Sequence, residues 1–258
     1  MSERFENRKA SRTNALDIFE GQWLSALPNF GYGGHQLFDD ARITQFDRAI
    51  GGFFGKKILE LGPLEGGHTY AMSLLGASEI IAVEANRDAF LRCLIVKELY
   101  GLKAKFMCGD FEKYLLDSPP RVDVILASGV LYHMVEPLQL IEAMAKSCDT
   151  VCMWTHYFDE QVIRSNQLTS ERFGEEFAVD FHGRKITLAR QNYGTDVKTR
   201  TFAGGTEEHS HWIRKEGIAD AFDVLGFDLV ELSEHRDHPH GPSYLCVARR
   251  RLRGVIPE

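Results

Sequence analysis

From Lys57 to Val130 the chain repeats one pattern, a short apolar run, a glycine or acidic turn and then an amphipathic run, and this alternation narrows its fold more than any other feature. The successive segments are KILELG, HTYAMSLLGA, EIIAVEA, RDAFLRCLIVKELYG, AKFMCGD, FEKYLL and VDVILASGV. Strand, helix, strand in this order predicts βαβ units, an α/β fold whose helices cover a parallel sheet. In the segment opening near Asp88, Phe90, Leu91, Leu94, Ile95 and Leu99 recur at helical spacing and Gly101 supplies a stop, so this helix is expected to cover one face of the sheet. Downstream, PLQLIEAMAKS reads as a further helix and TVCMWTHYF as a fifth strand.

The ending breaks the rhythm. RKEGIADAFDVLGF places Ile218, Ala221, Phe222 and Leu225 on one helical face and stops at Gly226, after which FDLVELSE and SYLCVARR read as two strands joined by a polar loop. Between the fifth strand and this helix, residues 159–210 lose periodicity and gather glycines, although FAVDFHGRKITLAR alternates like a hairpin. With 258 residues, 44% of them hydrophobic, the chain can bury one substantial core, so that stretch is expected to be an insertion within a domain of residues 51–258. Residues 1–50, including TNALDIFEGQWLSAL, read as a cap of one or two helices before the glycine-rich turn NFGYGGHQ; it either crosses the mouth of the sheet or packs on its side.

Four turns carry chemistry. In ILELGPLEGGHTY a strand ends at Leu61 and the chain turns through Gly62, Gly66 and Gly67 into a helix; glycine lets backbone amides approach a ligand, and the helix start favours a carboxylate. A dinucleotide turn has glycine at the third position of G-x-G-x-x-G, where this chain has Leu64, which disfavours a nicotinamide cofactor. Glu84 closes the next strand about 20 residues on, the distance at which Rossmann-like sites place a ribose-binding acid. Asp110 follows the third strand and is also a favoured N-cap for FEKYLL. After the fourth strand come Ser128, Gly129 and Val130, then Leu131, Tyr132 and His133.

A parallel sheet closed by a helix and a hairpin resembles that of the class I S-adenosylmethionine (SAM) methyltransferases, whose last strand runs antiparallel between two others. The expected fold class is therefore α/β, Rossmann-like, with a seven-stranded, mostly parallel sheet and an antiparallel last strand. The resemblance implies SAM as cofactor. It implies that Gly62, Pro63, Leu64, Gly66 and Thr69 hold the amino acid end of SAM, with Glu60 taking up the ammonium directly or through water. Glu84, Ala85 and Asn86 then meet the ribose, Asp110 the adenine amine, Phe111 the ring, and Ser128, Gly129, Val130 and His133 the methyl group. More narrowly, GVLYHMVEPL, GGHTYAMSLLGAS and FLRCLIVKELYG are similar to the tRNA wobble-uridine carboxymethyltransferase group and its relatives, over roughly Ile58 to Thr155. Those enzymes carry a longer basic front and an arginine near the final strand, whereas this chain is short in front and reads HPHGPSYLCVA there. Plain SAM and a small-molecule acceptor are expected, with tRNA (carboxy)methylation as the alternative.

A net charge of -7 disfavours a long phosphate backbone as partner. No apolar stretch is long enough to span a membrane, the first residues lack the apolar core of a secretory signal, and a cytoplasmic location is expected; the oligomeric state, a homodimer included, is left open. Cys93, Cys108, Cys148, Cys152 and Cys246 show no metal-like spacing and are read as small core residues. If the acceptor must lose a proton, His133 is the first candidate base and His156 the second, with Tyr132 beside them in the same catalytic set. His209 and His211, and His235, His238 and His240, match no closed zinc site; no metal is assigned, and the second group is read as a solvated or substrate-lining loop. Two other classes stay in view, a non-catalytic SAM- or nucleoside-binding module and an NAD-dependent dehydrogenase. The acceptor is expected between Tyr32–Gln36, the Tyr132–His133 turn and the insertion.

Overall fold

Strands buried on both faces organise the molecule, whose computed structural model describes residues 5–117, 120–194, 204–205 and 207–252. In β1 (Lys57–Leu61) Ile58 faces one apolar cluster while Leu59 and Leu61 face the other. The same division holds in β2 (Glu79–Glu84), β4 (Val124–Ser128) and β5 (Thr150–His156), which explains why their sequences read as continuous apolar runs. With β3 (Lys105–Cys108), β9 (Phe227–His235) and β10 (Ser243–Arg250) they form a seven-stranded sheet in the order β3-β2-β1-β4-β5-β10-β9. β10 pairs antiparallel with both β5 and β9, and the other described pairings of this sheet are parallel, as expected from the closing hairpin.

The connecting helices are α3 (Gly67–Leu74), α4 (Arg87–Tyr100), α5 (Phe111–Leu116), α6 (Pro137–Ser147) and α9 (Lys215–Val224). Asn86 caps α4 by accepting from the N–H groups of Asp88 and Ala89, and Gly101 ends it in the left-handed conformation at φ 65°. The face of α4 that packs inward differs from the expected one: Ala89, Cys93 and Val96 are buried, whereas Leu91 is 47% and Leu94 39% exposed. Small side chains let the helix approach the sheet, and the larger ones turn toward residues 12–19, where they line a hollow of about 410 Å³. Among the cysteines, Cys108 is likewise a correction: it ends the edge strand β3 and is exposed, while the other four are buried.

The front of the chain holds less helix than expected. TNALDIFEGQWLSAL contains only the single turn α1 (Asn14–Asp17), because Gly21 at φ 72° redirects the backbone and the Trp23 indole N–H donates to the Leu16 carbonyl at 2.9 Å. Leu16, Phe19, Trp23, Leu27 and Phe38 instead form their own cluster on Val96, Leu99 and Leu102, each such burial contributing roughly 1.5–3 kcal/mol. A longer helix, α2 (Ala41–Ile50), follows the glycine-rich turn, capped by Asp40 and ended by Gly51. The front thus does both things the sequence allowed: residues 14–32 pack beside α4, and residues 35–42 cross toward the carboxyl ends of the strands.

Two short helices, α7 (Glu160–Ser165) and α8 (Gln167–Ser170), lead into the insertion. The anticipated hairpin is β6 (Phe173–Phe181) and β7 (Arg184–Asn192), joined by His182 and Gly183 at φ 51° and 82°, the positive pair that a two-residue turn between twisted strands requires. A third strand, β8 (His209–Ile213), carries the accessory sheet past the expected boundary at Ser210 and was not foreseen; residues 195–203 and 206 lie outside the described set. This sheet is not an appendage, since Ile186, Leu188 and Ile213 join the main core and the Phe158 N–H donates to the Ile213 carbonyl at 2.9 Å. Among the described residues, no helix is long and apolar enough to cross a membrane.

Candidate functional site

The carboxyl ends of β1, β2, β3 and β4 lie at one edge of the sheet, and the turns after them touch. Gly62 has φ 64°, and a Cβ there would come within 3.0 Å of Val130 Cγ1 and 4.0 Å of Phe111 Cε1, so residues that follow three different strands meet around one glycine. Gly66, at φ 77°, precedes α3 and has no side chain to cap it, and among the described residues no side chain accepts from the first N–H groups of that helix. Its own N–H donates to the Pro63 carbonyl at 2.8 Å.

Leu64 stands in the left-handed region at φ 57°, a conformation that disfavours an L side chain. Glu84 holds it there: the Leu64 N–H donates to Oε2 at 2.9 Å and the Asn86 N–H to Oε1 at 2.8 Å. Burial pushes the Glu84 carboxyl above its ordinary range, while the N–H groups of Asn86, Leu64 and Ala85 pull it back. A carboxylate has about four lone-pair sites, so with three N–H groups on it about one remains for a ligand. Glu60 is more enclosed. It accepts from the Thr69 hydroxyl and is 1% exposed, and burial pushes its carboxyl up to about 8.

Asp110 caps α5, its Oδ1 accepting from the N–H groups of Glu112 at 2.9 Å and Lys113 at 3.2 Å, while Phe111 packs half-buried against the core. At the end of β4 the Ser128 hydroxyl is buried and has no partner among the described residues. Gly129, at φ 88°, donates to the Trp154 carbonyl at 2.9 Å, and its missing Cβ would lie 3.7 Å from the Tyr132 hydroxyl and 3.8 Å from the Trp154 ring.

Leu131–His133 form a short 3-10 turn that points into an aromatic cluster. His133 Nδ1 lies 2.8 Å from the Tyr193 hydroxyl, and burial pushes its imidazole down to about 3. His156 stacks on Trp212 with centroids 5.1 Å apart and planes 11° from parallel, and meets Tyr132, Trp154 and His238 edge-on at 4.6, 5.0 and 4.8 Å. Burial, then His238, push its imidazole down to about 4. His238 therefore belongs to this cluster, whereas the His211 Nδ1 is engaged by the Val135 carbonyl at 2.6 Å. Among the described residues no group of three or more His, Cys, Asp or Glu side chains could hold a metal ion.

Several contributors escaped the sequence reading. Glu65, inside the glycine turn, is fully buried and accepts from the N–H groups of Leu24 at 3.0 Å and Ser25 at 2.8 Å while pairing with Arg92 at 2.9 Å, so it staples the front of the chain to the turn. Asp40 accepts from Arg42 Nε at 2.8 Å, its Oδ2 lies 2.9 Å from His68 Nε2, and the Arg42 guanidinium sits 4.6 Å over the Trp154 ring. Tyr32, expected near the acceptor, instead packs on Trp23 at 6.4 Å and donates to Asp17. An acid within a glycine turn was the available signal for Glu65; nothing local marks Arg42, which reaches the site only through the path of the front segment.

No family model matches the chain. Over 93% of its length it superposes on 95% of the N-terminal domain of EvdMO1, solved in the presence of SAH and D-fucose, with TM-score 0.69 and 22% identity. The fold is that of the class I methyltransferases. The magnesium protoporphyrin IX methyltransferase ChlM of Synechocystis PCC 6803, solved with bound SAH, shares it at TM-score 0.58 and 14% identity, with 93% of this chain and 100% of that one covered. In sequence, the methyltransferase-fold chain is 26% identical over 185 residues to ribosomal RNA small subunit methyltransferase A of Rhodopseudomonas palustris (strain BisB18), spanning 70% of this chain and 60% of that protein. It is 25% identical over 112 residues to a ubiquinone biosynthesis O-methyltransferase of Aliivibrio fischeri, spanning 43% of this chain and 47% of that protein. The chain thus spans about 60% or less of the length of these curated relatives.

Proposed function

We propose that this chain is a SAM-dependent methyltransferase acting on a small-molecule acceptor. The observation that carries the reading is the meeting of Gly62, Phe111 and Val130 at the sheet edge where Glu84 and Ser128 also end their strands. The residues present fit the ligand. Among the described residues, Ser128 offers a buried hydroxyl without a partner and Gly66 gives the start of α3 no side-chain cap, while Glu84 keeps a lone pair for a ribose hydroxyl. Glu60 would meet the ligand ammonium, and Asp110 and Phe111 the adenine. When bound, SAM supplies a methyl group on a positively charged sulfur. The task of the chain is then alignment and exclusion of water, for which the aromatic cluster around His156 and the cover provided by residues 35–42 are suited.

A small acceptor is supported by the net charge of -7 and by the enclosure of the cluster beneath the front segment and the accessory sheet. The sugar present with the EvdMO1 domain agrees with a small hydroxylated molecule, and plain SAM is favoured over a carboxylated donor by the absence of arginine from HPHGPSYLCVA. The names of the ribosomal RNA relatives favour a second reading, methylation of a structured RNA. Titration calorimetry with SAM, SAH and NADH, followed by radiolabelled methyl transfer to small hydroxyl compounds and to ribosomal RNA, separates these. Binding of SAM and SAH with label in the small molecules supports the proposal; preference for NADH overturns the cofactor, label in RNA alone overturns the acceptor, and SAM binding without transfer to either leaves a binding module.

A further inference from the structure

We propose that His156 is the base of the acceptor site and that the group it deprotonates is a neutral hydroxyl. This rests on the methyltransferase reading above and adds to it the acceptor chemistry. His156 Nδ1 lies 2.8 Å from the Gly241 carbonyl oxygen and 3.2 Å from that of Pro242. A carbonyl oxygen has no hydrogen to give, so Nδ1 carries the proton and the neutral ring keeps an unprotonated lone pair on Nε2. Nε2 has no hydrogen-bond partner among the described residues. His133 is different, because the Tyr193 hydroxyl at its Nδ1 can donate or accept and leaves the tautomer unset.

The imidazole is also locked in place. Trp212 stacks beneath it, and Gly241 carries its carbonyl inward from a left-handed position at φ 111°, where a Cβ would approach the Trp212 ring to 2.9 Å. Only glycine leaves room for the tryptophan ring at this position while its carbonyl reaches His156. Tyr132 connects the two halves of the site: its ring meets His156 at 4.6 Å, and its hydroxyl lies 3.7 Å from the position a Gly129 Cβ would take at the end of β4.

The surroundings select the acceptor. Around His156 stand the rings of Tyr132, Trp154, Trp212 and His238, with Arg42 over Trp154. An amine acceptor arrives as an ammonium ion and wants a carboxylate, yet Asp40, the acid that accompanies Arg42, is committed to Arg42 and His68. A neutral hydroxyl needs only a lone pair to take its proton. In the step, the hydroxyl oxygen forms a bond to the methyl carbon, the carbon–sulfur bond breaks with its electron pair kept by sulfur, and the hydroxyl proton moves to Nε2 of His156 and then to water.

Two measurements on the full chain test this. Nitrogen-15 NMR of imidazole-labelled protein, with His156 assigned by loss of its signals in His156→Asn, reports the tautomer without any turnover. The expected result at neutral pH is a protonated Nδ1 and an unprotonated Nε2; a protonated Nε2 overturns the proposal. The asparagine amide can still donate to the Gly241 carbonyl but has no basic lone pair, so His156→Asn is expected to bind SAM within about twofold of wild type and to lose roughly 10²–10⁴-fold in labelled methyl transfer to the hexoses and phenols of a panel that also holds primary amines. Transfer within about threefold of wild type, or label found only in amine compounds, overturns the proposal. Absence of SAM binding in the wild type would instead defeat the methyltransferase reading on which it rests.

Discussion

Replacing Glu60 with glutamine probes how the site receives a cationic ligand. The buried Glu60 carboxyl releases its proton near pH 8, so at pH 7 the protonated form outnumbers the carboxylate by about ten to one, and at pH 6 by about a hundred to one. If this side chain takes up the ligand ammonium, binding must ionise it, and each step down in pH makes that harder. SAM affinity is therefore expected to rise about tenfold, or about 1.4 kcal/mol, from pH 6 to pH 7, while the ligand α-amino group stays protonated. His133 and His156 lie at about 3 and about 4, outside this window. The same group acts on stability with a definite sign. The folded carboxyl keeps its proton to about pH 8 while the unfolded one releases it near 4.5, so Glu60 destabilises the fold increasingly as pH rises across that interval, by at most about 1.4 kcal/mol per pH unit. Calorimetry of SAM binding at pH 6 and pH 7, with thermal melts at pH 5 and pH 8, should show that Glu60→Gln abolishes the slope in affinity and gains melting temperature over wild type only at the higher pH. A wild-type affinity that is flat from pH 6 to pH 7, or a variant that keeps the same slope, refutes the reasoning.

Three further outcomes are expected. Glu84→Ala leaves the Leu64 and Asn86 N–H groups without their acceptor and should weaken SAM binding by roughly 1–3 kcal/mol in calorimetry, whereas unaltered affinity would remove Glu84 from the site. Glu65→Ala strands the buried Arg92 and two backbone N–H groups and should lower urea stability by about 3–5 kcal/mol, with faster proteolysis between residues 24 and 36; an unchanged midpoint would deny the staple. Tyr193→Phe removes the hydroxyl at His133 and is expected to raise the KM for acceptor while SAM affinity stays within about twofold, and a loss of SAM binding instead would count against the accessory sheet as the acceptor side.

What could be read from the chain beforehand was whatever local pattern determines. Continuous apolar runs in β1, β2, β4 and β5, interrupted by helical periodicity, follow directly from burial on two faces, and Gly62, Glu84 and Asp110 could be placed at strand ends because turns after parallel strands occupy one edge. The antiparallel β10 followed from a hairpin where another βαβ unit was due. What stayed hidden depends on contacts distant in sequence. Leu91 and Leu94 fit the helical period of α4 as well as Cys93 and Val96 do, and only the neighbouring residues 12–19 decide which face turns outward. The indole of Trp23 and the carboxylate of Glu65 replace helix in the front segment with side-chain bonds that no periodicity records. Trp212 and Tyr193 reach the site because β8 pairs with β7, a pairing across residues that lack alternation.

The most direct test of the central claim is a crystal structure of the protein with SAH bound. The account expects the adenosyl group along the edge formed by Gly62, Glu84 and Asp110, with a ribose hydroxyl on Glu84 and the sulfur turned toward Ser128, Gly129 and the His156 cluster. Density for the ligand elsewhere, with Glu84 facing only Leu64 and Asn86 and Ser128 still without a partner, would contradict it.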